Sequence, residues 1–245
     1  MVDTKNQYLA IKKEVDQAIQ EVLDSAAYIN GKAVKDFAQN LSTYLKVNYV
    51  IPCANGTDAL QIAMMALGLQ PGDEIITPSF TYIATTEVVA LLGLKPVFVD
   101  VDPNTLCIDS QKVSEAINNK TSVILPVHFA GLSSEISKLS KIAKENKCML
   151  IEDAAHASGT VFNNKKIGVH GDLVCFSFHP VKNLAMPVGG AIIVNHKKSN
   201  KISNTLKSLR WCGISDRKDS IYDVKRLGWN YYLNEFSAAI GLVQL

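Results

Sequence analysis

The sequence lacks paired cysteines, long apolar runs and an excess of charge of either sign. Its five cysteines lie far apart, at positions 53, 107, 148, 175 and 212. No two of them form a CxxC pair, which argues against a disulfide framework or a zinc site and favours reduced thiols. The net charge of +2 is too small to indicate nucleic acid or an anionic membrane as the partner. No apolar run is long enough to cross a bilayer, and residues 1–6 show no signal-peptide pattern, so we expect a cytoplasmic protein.

The sequence does contain short apolar segments that alternate regularly with segments in which apolar residues recur at helical spacing. Residues 5–27 have the spacing of one amphipathic helix, and residues 34–45 that of a second. Strands apolar on both faces and separated by helices predict a mostly parallel sheet covered on both sides. The predicted strands are 49–53, 74–77, 96–100, 122–127, 148–151, 173–176 and 191–194, and the helices between them are 57–67, 83–92, 110–117 and 134–146.

We predict three segments along the chain. Residues 1–30 form an N-terminal helical segment, residues 31–227 a large α/β domain, and residues 228–245 the start of a C-terminal region. Residues 234–245 have the spacing of an amphipathic helix that stops without a capping residue or a basic last turn. We therefore expect the chain to be a fragment of a longer protein.

A lysine follows one of the predicted strands at the end where α/β proteins bind ligands. The strand 173–176 is followed by the hydroxyl of Ser177 and then by Lys182, before Gly189 and Gly190 lead into the next strand. A lysine amine at this place can bond covalently to an aldehyde cofactor if its surroundings keep it available as a nucleophile. The alternative is a solvated surface charge, as most lysines are.

An anion site is predicted where the strand 49–53 meets the next helix. Free backbone amides at a helix N-terminus attract anions, Gly56 allows a phosphate to approach closely, and Thr57 adds a hydroxyl. The alternative is a plain helix start, with Asn55 as its cap and Asp58 as the third helical residue.

Two further strand ends carry groups that suit a flat, cationic ring. Asp153 follows the apolar run 149–151, and a buried carboxylate there can pair with a protonated pyridine nitrogen. Tyr82 follows another strand and can stack on the ring. The alternatives are a helix cap for Asp153, a core position for His156 and ordinary packing for Tyr82.

These strand ends converge in a doubly wound sheet. Together they supply an anion site for a phosphate, an aromatic side chain that can stack on a ring, a carboxylate for a ring nitrogen and an amine. Pyridoxal phosphate requires all four, and few other ligands do. The sequence therefore predicts a pyridoxal-phosphate site.

The same motifs resemble those of the DegT-type sugar aminotransferases, which are fold-type I pyridoxal-phosphate enzymes. The resemblance covers nearly the whole chain, through residues 55–60, 71–78, 98–102, 126–131, 151–157, 176–182, 228–230 and 238–245. It implies the large domain of that fold, a mostly parallel mixed sheet flanked by helices. It also implies that the small C-terminal domain is missing from this chain.

The resemblance also implies roles for the residues around the cofactor ring. Lys182 is the Schiff-base lysine and proton carrier, and Asp153 pairs with the pyridine nitrogen. His156 lies near the phenolic oxygen of the ring, and Tyr82 stacks on the ring. The catalytic pair implied is Lys182 and Asp153.

The same resemblance implies which residues bind the cofactor phosphate and which one reaches the partner subunit. Gly56, Thr57 and Ser177 hold the cofactor phosphate, and Asn230 reaches the phosphate of the neighbouring subunit, which implies a homodimer with shared active sites. The alternative for Asn230 is a cap on the last helix. The implied reaction moves an amino group from glutamate to a nucleotide-linked keto sugar, in amino-sugar and cell-surface polysaccharide biosynthesis.

The chain departs from the family pattern near the expected substrate. Members often carry an acidic residue just before the Gly-Gly pair, where this chain has Met186-Pro187-Val188, and a basic residue at the position of Tyr232.

Three other interpretations of the function stay open. They are a non-catalytic pyridoxal-phosphate binder with a regulatory or scaffolding role, a relative of the sugar dehydratases, which carry histidine in place of the lysine, and a nucleotide-binding α/β module without pyridoxal phosphate.

Overall fold

A computed structural model describes residues 2–245 of the chain. Its helices are α1 (Thr4–Ala10), α2 (Lys12–Ser25), α3 (Lys32–Leu45), α4 (Gly56–Leu67), α5 (Ala84–Leu91), α6 (Ser110–Ala116), α7 (Ile136–Glu145), α8 (Ser199–Leu209) and α9 (Glu235–Gln244). Its strands are β1 (Val50–Cys53), β2 (Glu74–Pro78), β3 (Lys95–Val99), β4 (Thr121–Ile124), β5 (Met149–Asp153), β6 (Val161–Phe162), β7 (Lys165–Lys166), β8 (Leu173–Ser177), β9 (Gly190–Val194), β10 (Ile214–Lys218) and β11 (Ile221–Val224). A short 3₁₀ turn lies at Phe129–Gly131.

One central sheet contains seven of these strands, in the order β1-β9-β8-β5-β4-β2-β3. Neighbours from β8 to β3 run parallel, whereas β9 runs antiparallel to both β1 and β8. Parallel neighbours need a long crossover, usually a helix. The connection between β8 and β9 is residues 178–189, all of them described and none of them helical, so β9 folds back directly beside β8. The prediction of a mostly parallel sheet is confirmed.

Helices cover both faces of this sheet. Every residue of β2, β8 and β9 is buried, which explains why these strands are mostly apolar on both faces instead of alternating. Cys175 and Ile192 belong to the core that contains α4, whereas Phe176 and Ile193 belong to the core that contains α3 and α9. The sheet is therefore the middle layer of three, and its carboxyl edge stays open for a site.

The N-terminal helix predicted over residues 5–27 is wrong in one respect, because the chain forms two helices that meet at Ile11. Ile11 has φ −122° and ψ 22°, outside the helical region. No described residue of α1 is buried, whereas α2 buries Val15 and Val22. Tertiary packing supplies most helical stability in proteins, so packing holds α2 in place and leaves α1 free to bend away.

The last helix is capped by Asn234, not by Asn230. The Asn234 side chain accepts a hydrogen bond from the backbone amide of Ser237 at 2.8 Å. The alternative interpretation of Asn230 as the cap is therefore wrong. The next residue, Glu235, is buried, and its carboxylate accepts the backbone amides of Gly31 at 2.8 Å and Ala33 at 2.7 Å. It thereby caps the N-terminus of α3 from a distant part of the sequence.

Replacing Glu235 with alanine is expected to destabilise the fold. The substitution leaves the amides at the start of α3 without their acceptor, which costs about 2–3 kcal/mol. Urea unfolding monitored by circular dichroism measures the change in the unfolding free energy. Glu235→Gln keeps one acceptor oxygen and is expected to lose roughly half as much. An alanine variant as stable as the unchanged protein would contradict the capping role.

Several secondary-structure elements were not predicted from the sequence. They are the hairpin β6–β7, helix α8 and the hairpin β10–β11. Helix α8 could have been found, because Ile202, Leu206 and Leu209 are buried at helical spacing. The hairpin β10–β11 could not, since its residues are mostly polar or exposed.

Within residues 2–245, no helix combines the length and the apolar character that crossing a bilayer requires. The five cysteines are all free thiols, and four of them are buried. The division of the chain at residues 30 and 227 stays a prediction.

Candidate active site

A cavity of about 800 Å³ lies at the carboxyl edge of the parallel strands. Its walls come from the loops that follow β1, β2, β4, β5 and β8, which is where an open α/β sheet binds ligands. The predicted site residues of a single chain all line it, namely Gly56, Thr57, Tyr82, Asp153, His156, Ser177 and Lys182. The expected convergence of the strand ends is therefore found, while the role of each residue stays a prediction.

Asp153 is the last residue of β5, and its buried carboxylate is held by two donors. The hydroxyl of Thr85 donates to Oδ2 at 2.8 Å, and the backbone amide of Ala155 donates to Oδ1 at 3.1 Å. Thr85 is itself 2.8 Å from the hydroxyl of Thr81. These bonds orient the carboxylate and stabilise its negative charge. Asp153 does not cap a helix, because β5 leads into a turn.

Lys182 lies in the loop after β8, half-buried on the cavity wall. Burial lowers the pKa of the Lys182 amine below its ordinary value, and the negative charge of Asp153 partly offsets this. A lowered pKa leaves more of the amine uncharged near neutral pH, and the uncharged amine is the nucleophilic form. Lys182 is therefore not an ordinary solvated lysine.

His156 lies on the cavity wall and not in the core. Its Nδ1 accepts the backbone amide of Ala130 at 3.2 Å. Burial lowers the pKa of His156, and the positive charge of Lys182 lowers it further, against the opposite effect of Asp153. A neutral ring whose Nδ1 accepts a hydrogen bond carries its proton on Nε2.

The turn from β1 into α4 has both properties that the sequence suggested. Asn55 caps the helix, since its side chain accepts the amide of Asp58 at 2.9 Å. Gly56 also packs directly against β8, because a Cβ at this position would lie 2.6 Å from the Cβ of Ser177. Burial raises the pKa of Asp58 to about 6, so its carboxylate is still mostly ionised at neutral pH, and the attraction for an anion comes from the amides at the start of α4. The turn can therefore hold an anion.

A methyl group at Gly56 is expected to displace this turn. Gly56→Ala forces α4 away from Ser177, and overpacking of this size lowers the affinity for pyridoxal phosphate by on the order of tenfold. Equilibrium titration of the cofactor measures the effect. The double variant Gly56→Ala with Ser177→Gly removes the clash, so its affinity should return to that of Ser177→Gly alone. Unchanged affinity in Gly56→Ala would show that the turn does not hold the phosphate.

Aromatic side chains form the outer part of the cavity wall. Tyr82 is 75% exposed, so it does not pack in the core. Phe80 and Phe129 also line the cavity and contact each other with ring centroids 4.9 Å apart. These aromatic side chains are available for stacking on a ring.

Asn230 is the one predicted site residue that does not line the cavity of its own chain. It is exposed, and its neighbours hold it in place. The carbonyl of Tyr231 accepts the amide of Ala54 at 2.7 Å, and the amide of Trp229 donates to the carbonyl of Leu209 at 2.7 Å. The side chain of Asn230 is thus presented outward from a fixed segment.

Sequence reasoning missed Thr85, which holds Asp153, and the backbone amide of Ala130, which holds His156. The spacing of Thr81 and Thr85, four residues apart at the start of α5, is a weak signal. The partnership of Ala130 with His156 leaves no signal in the sequence, because it is made by a backbone amide.

The model of the DegT/DnrJ/EryC1/StrS aminotransferase family matches residues 9–245 of the chain. The UDP-2-acetamido-2-deoxy-3-oxo-D-glucuronate aminotransferase of Pseudomonas aeruginosa is 40% identical over 245 residues, which are 100% of this chain and 66% of that protein. The pleiotropic regulatory protein of Geobacillus stearothermophilus is 39% identical over 98% of this chain and 63% of its own length. The chain therefore spans just under two thirds of the length of these relatives.

Solved structures are similar over the same region. A DegT DnrJ EryC1 StrS aminotransferase from Brucella abortus has a TM-score of 0.93 at 36% identity, covering 99% of this chain and 66% of that one. NtdA from Bacillus subtilis, with its cofactor PMP bound, has a TM-score of 0.87 at 33% identity, covering 95% of this chain and 52% of that one.

Proposed function

The chain belongs to the DegT/DnrJ/EryC1/StrS aminotransferase family, and we propose from this that it is a pyridoxal-phosphate-dependent aminotransferase acting on a nucleotide sugar. The observation that carries the proposal is the single cavity that joins the amine of Lys182, the carboxylate of Asp153 and the turn at Gly56. An amine, a buried carboxylate and an anion cradle are what this cofactor needs from a protein.

The residues present fit pyridoxal phosphate in size and charge. A cavity of about 800 Å³ accommodates a cofactor together with part of a substrate. Gly56 brings the N-terminus of α4 close to Ser177 of β8, and the amides of a helix N-terminus can bind a phosphate. Asp153, held by Thr85, supplies a fixed negative charge for a protonated ring nitrogen.

When bound, pyridoxal phosphate supplies an electron sink for a carbanion next to nitrogen. Residues of the chain supply the other parts of the chemistry. Lys182 would hold the cofactor aldehyde through its Nζ, and its free amine would move a proton at the reacting carbon. Asp153 would keep the ring nitrogen of a bound cofactor protonated, and the Nε2–H of His156 would be available as a donor in the cavity.

We propose glutamate as the amino donor and a nucleotide-linked keto sugar as the acceptor. The support for the acceptor is the description of the Pseudomonas aeruginosa relative, which names a UDP-linked 3-oxo sugar. Val188 lines the cavity next to Gly189 and carries no charge. We therefore expect acceptor preference to differ from that of family members with an acidic residue there. Amino-sugar biosynthesis for cell-surface polysaccharide, in the cytoplasm, is the setting that we propose.

The test is a panel of acceptors. The purified full-length protein is incubated with pyridoxal phosphate, glutamate and UDP- and dTDP-linked 3-keto and 4-keto sugars, and the products are identified by mass spectrometry. We expect 2-oxoglutarate and one amino sugar in equal amounts. If neither product forms with any acceptor, the proposed activity is wrong.

A second candidate is a regulatory protein that binds the cofactor without turnover. It is favoured by the likeness to the pleiotropic regulatory protein of Geobacillus stearothermophilus and by the uncharged run Met186-Pro187-Val188 beside the cavity. Under this candidate the acceptor panel gives no product although the cofactor binds. Dehydratase chemistry, in contrast, is disfavoured by the amine of Lys182 in the cavity.

We propose that the protein is a homodimer with two shared active sites. The outward position of Asn230 supports this, since a C₂ interface allows each subunit to complete the cavity of the other. Exposed apolar side chains in the segment that precedes Asn230 in sequence give further support, because Ile221 is 78% exposed and Leu227 is 91% exposed.

Mixed dimers are expected to regain activity if the sites are shared. A Lys182→Ala subunit and an Asn230→Ala subunit, each nearly inactive alone, form a heterodimer in which one site carries both changes and the other carries neither. Turnover per heterodimer should then return to about half of that of the unchanged dimer. Heterodimers isolated with two different affinity tags provide the measurement. If these heterodimers stay inactive, Asn230 acts within its own subunit.

A further inference from the structure

A buried histidine and glutamate lie directly behind the cavity wall. Both side chains have no exposed surface, and Nε2 of His128 is 2.7 Å from Oε2 of Glu152. The amide of Ser134 donates to Nδ1 of His128 at 3.2 Å. Since Nδ1 accepts, Nε2 carries the proton and donates to Glu152. The second oxygen of Glu152 accepts the amide of Gly171, so each nitrogen and each oxygen of the two side chains has a hydrogen-bond partner.

The pair ties the 3₁₀ turn at Phe129–Gly131 to β5. The amide of His128 donates to the carbonyl of Asp153 at 3.1 Å, and the carbonyl of His128 accepts the amide of Gly131 at 3.1 Å. Glu152 precedes Asp153 in β5 and faces the opposite side of the strand. A side-chain bond on one face of β5 therefore fixes a turn that reaches the cavity on the other face.

That turn has a strained backbone, so it needs such an anchor. Ala130 has φ +49°, in the left-handed region that residues other than glycine rarely adopt. Strain of this kind persists only where the surroundings determine the conformation, and it concentrates at functional sites. The amide of Ala130 is the group that donates to Nδ1 of His156 at 3.2 Å.

We propose that the His128–Glu152 pair is a positioning device that keeps the proton of His156 on Nε2. The pair anchors the turn, the turn fixes the Ala130 amide, and that amide occupies Nδ1 of His156. His156 then offers an N–H donor to the cavity and is prevented from offering an acceptor there. The proposal rests on the proposed function only in taking this cavity as the cofactor site. His128 and Glu152 touch neither cofactor nor substrate and act through the turn.

NMR shows directly which ring nitrogen of His156 carries the proton. The sequence has five histidines, so histidine-selective ¹⁵N labelling gives a small spectrum in which His156 is assigned from a His156→Gln variant. Protonated and unprotonated ring nitrogens have well-separated ¹⁵N shifts. In the protein without added cofactor, we expect His156 to show a protonated Nε2 and an unprotonated Nδ1. A proton on Nδ1 would overturn the proposal without any further variant.

Two variants then test the role of the pair. Glu152→Gln keeps the shape but replaces one acceptor with a donor, so His128 or Gly171 loses its partner. We expect the His156 signals to change from one tautomer to a mixture and turnover to fall between about tenfold and 100-fold. His128→Gln keeps an N–H donor for Glu152 and is expected to retain the His156 signals, whereas His128→Leu is not.

Glu235→Gln is the matched control. Glu235 is also a buried carboxylate that accepts backbone amides, but it lies away from the cavity. We expect it to lose stability and leave the His156 signals unchanged. Unchanged His156 signals in Glu152→Gln, or an equal change in Glu235→Gln, would overturn the positioning role. These spectra are recorded without cofactor. They therefore test the positioning role even if the protein shows no aminotransferase activity.

Discussion

Lys182→Ala protein is expected to lose turnover by at least about 10⁴-fold, because one side chain supplies both the nucleophile and the proton carrier. The half-buried position of Lys182 and its lowered pKa favour an uncharged amine in the cavity. The alanine variant has no other amine at this place. The rate of 2-oxoglutarate release, measured with the best acceptor of the panel, gives the loss.

Two further lysine variants separate chemistry from charge and from folding. Lys182→Arg keeps the positive charge but provides no nucleophile, so it should be as inactive as the alanine variant. Lys165→Ala removes an exposed lysine from β7, away from the cavity, and should keep full activity. Substantial turnover in Lys182→Arg would show that Lys182 acts only through its charge.

Asp153→Asn protein is expected to bind the cofactor and to lose about 10²- to 10³-fold in turnover. Asparagine keeps the size of the side chain and can still accept the hydroxyl of Thr85, but it has no negative charge to hold a proton on the ring nitrogen. The rate constant of the single-turnover half-reaction with glutamate measures the loss independently of the keto sugar.

The control for this variant is Asp172→Asn. Asp172 accepts the amide of Leu150 at 2.9 Å, at the opposite end of the same strands, so its loss of charge should leave turnover nearly unchanged. If Asp153→Asn turns over as fast as the unchanged protein, the ring nitrogen has no need of this carboxylate, and the proposed mechanism loses its electrostatic basis.

The mostly parallel character of the sheet and the placement of the main site residues could be predicted because they follow from local rules. Strands that are apolar on both faces favour a covered parallel sheet, whose carboxyl ends form the ligand edge, whereas the antiparallel direction of the equally apolar β9 and the order of the strands were not predicted. Asp153 and Lys182 follow β5 and β8, which are neighbours in the sheet. The sequence therefore predicts their convergence in space without knowledge of the loops between them.

The residues that hold these groups could not be predicted, since their partners are distant in sequence. Thr85 meets Asp153 across 68 residues, and His128 meets Glu152 across 24. Neither contact has a periodic signal, and Ala130 contributes only a backbone amide. The break at Ile11 was missed for a related reason, because the burial that keeps α2 straight is absent from α1.

The most direct test of the central claim is the identity of the lysine that binds the cofactor. The purified protein is loaded with pyridoxal phosphate, reduced with borohydride, digested and mapped by mass spectrometry. The account predicts one modified peptide, with the reduced cofactor on Lys182, and none in the Lys182→Ala variant. Modification of another lysine, or no adduct at all in a protein that binds the cofactor, would contradict the account.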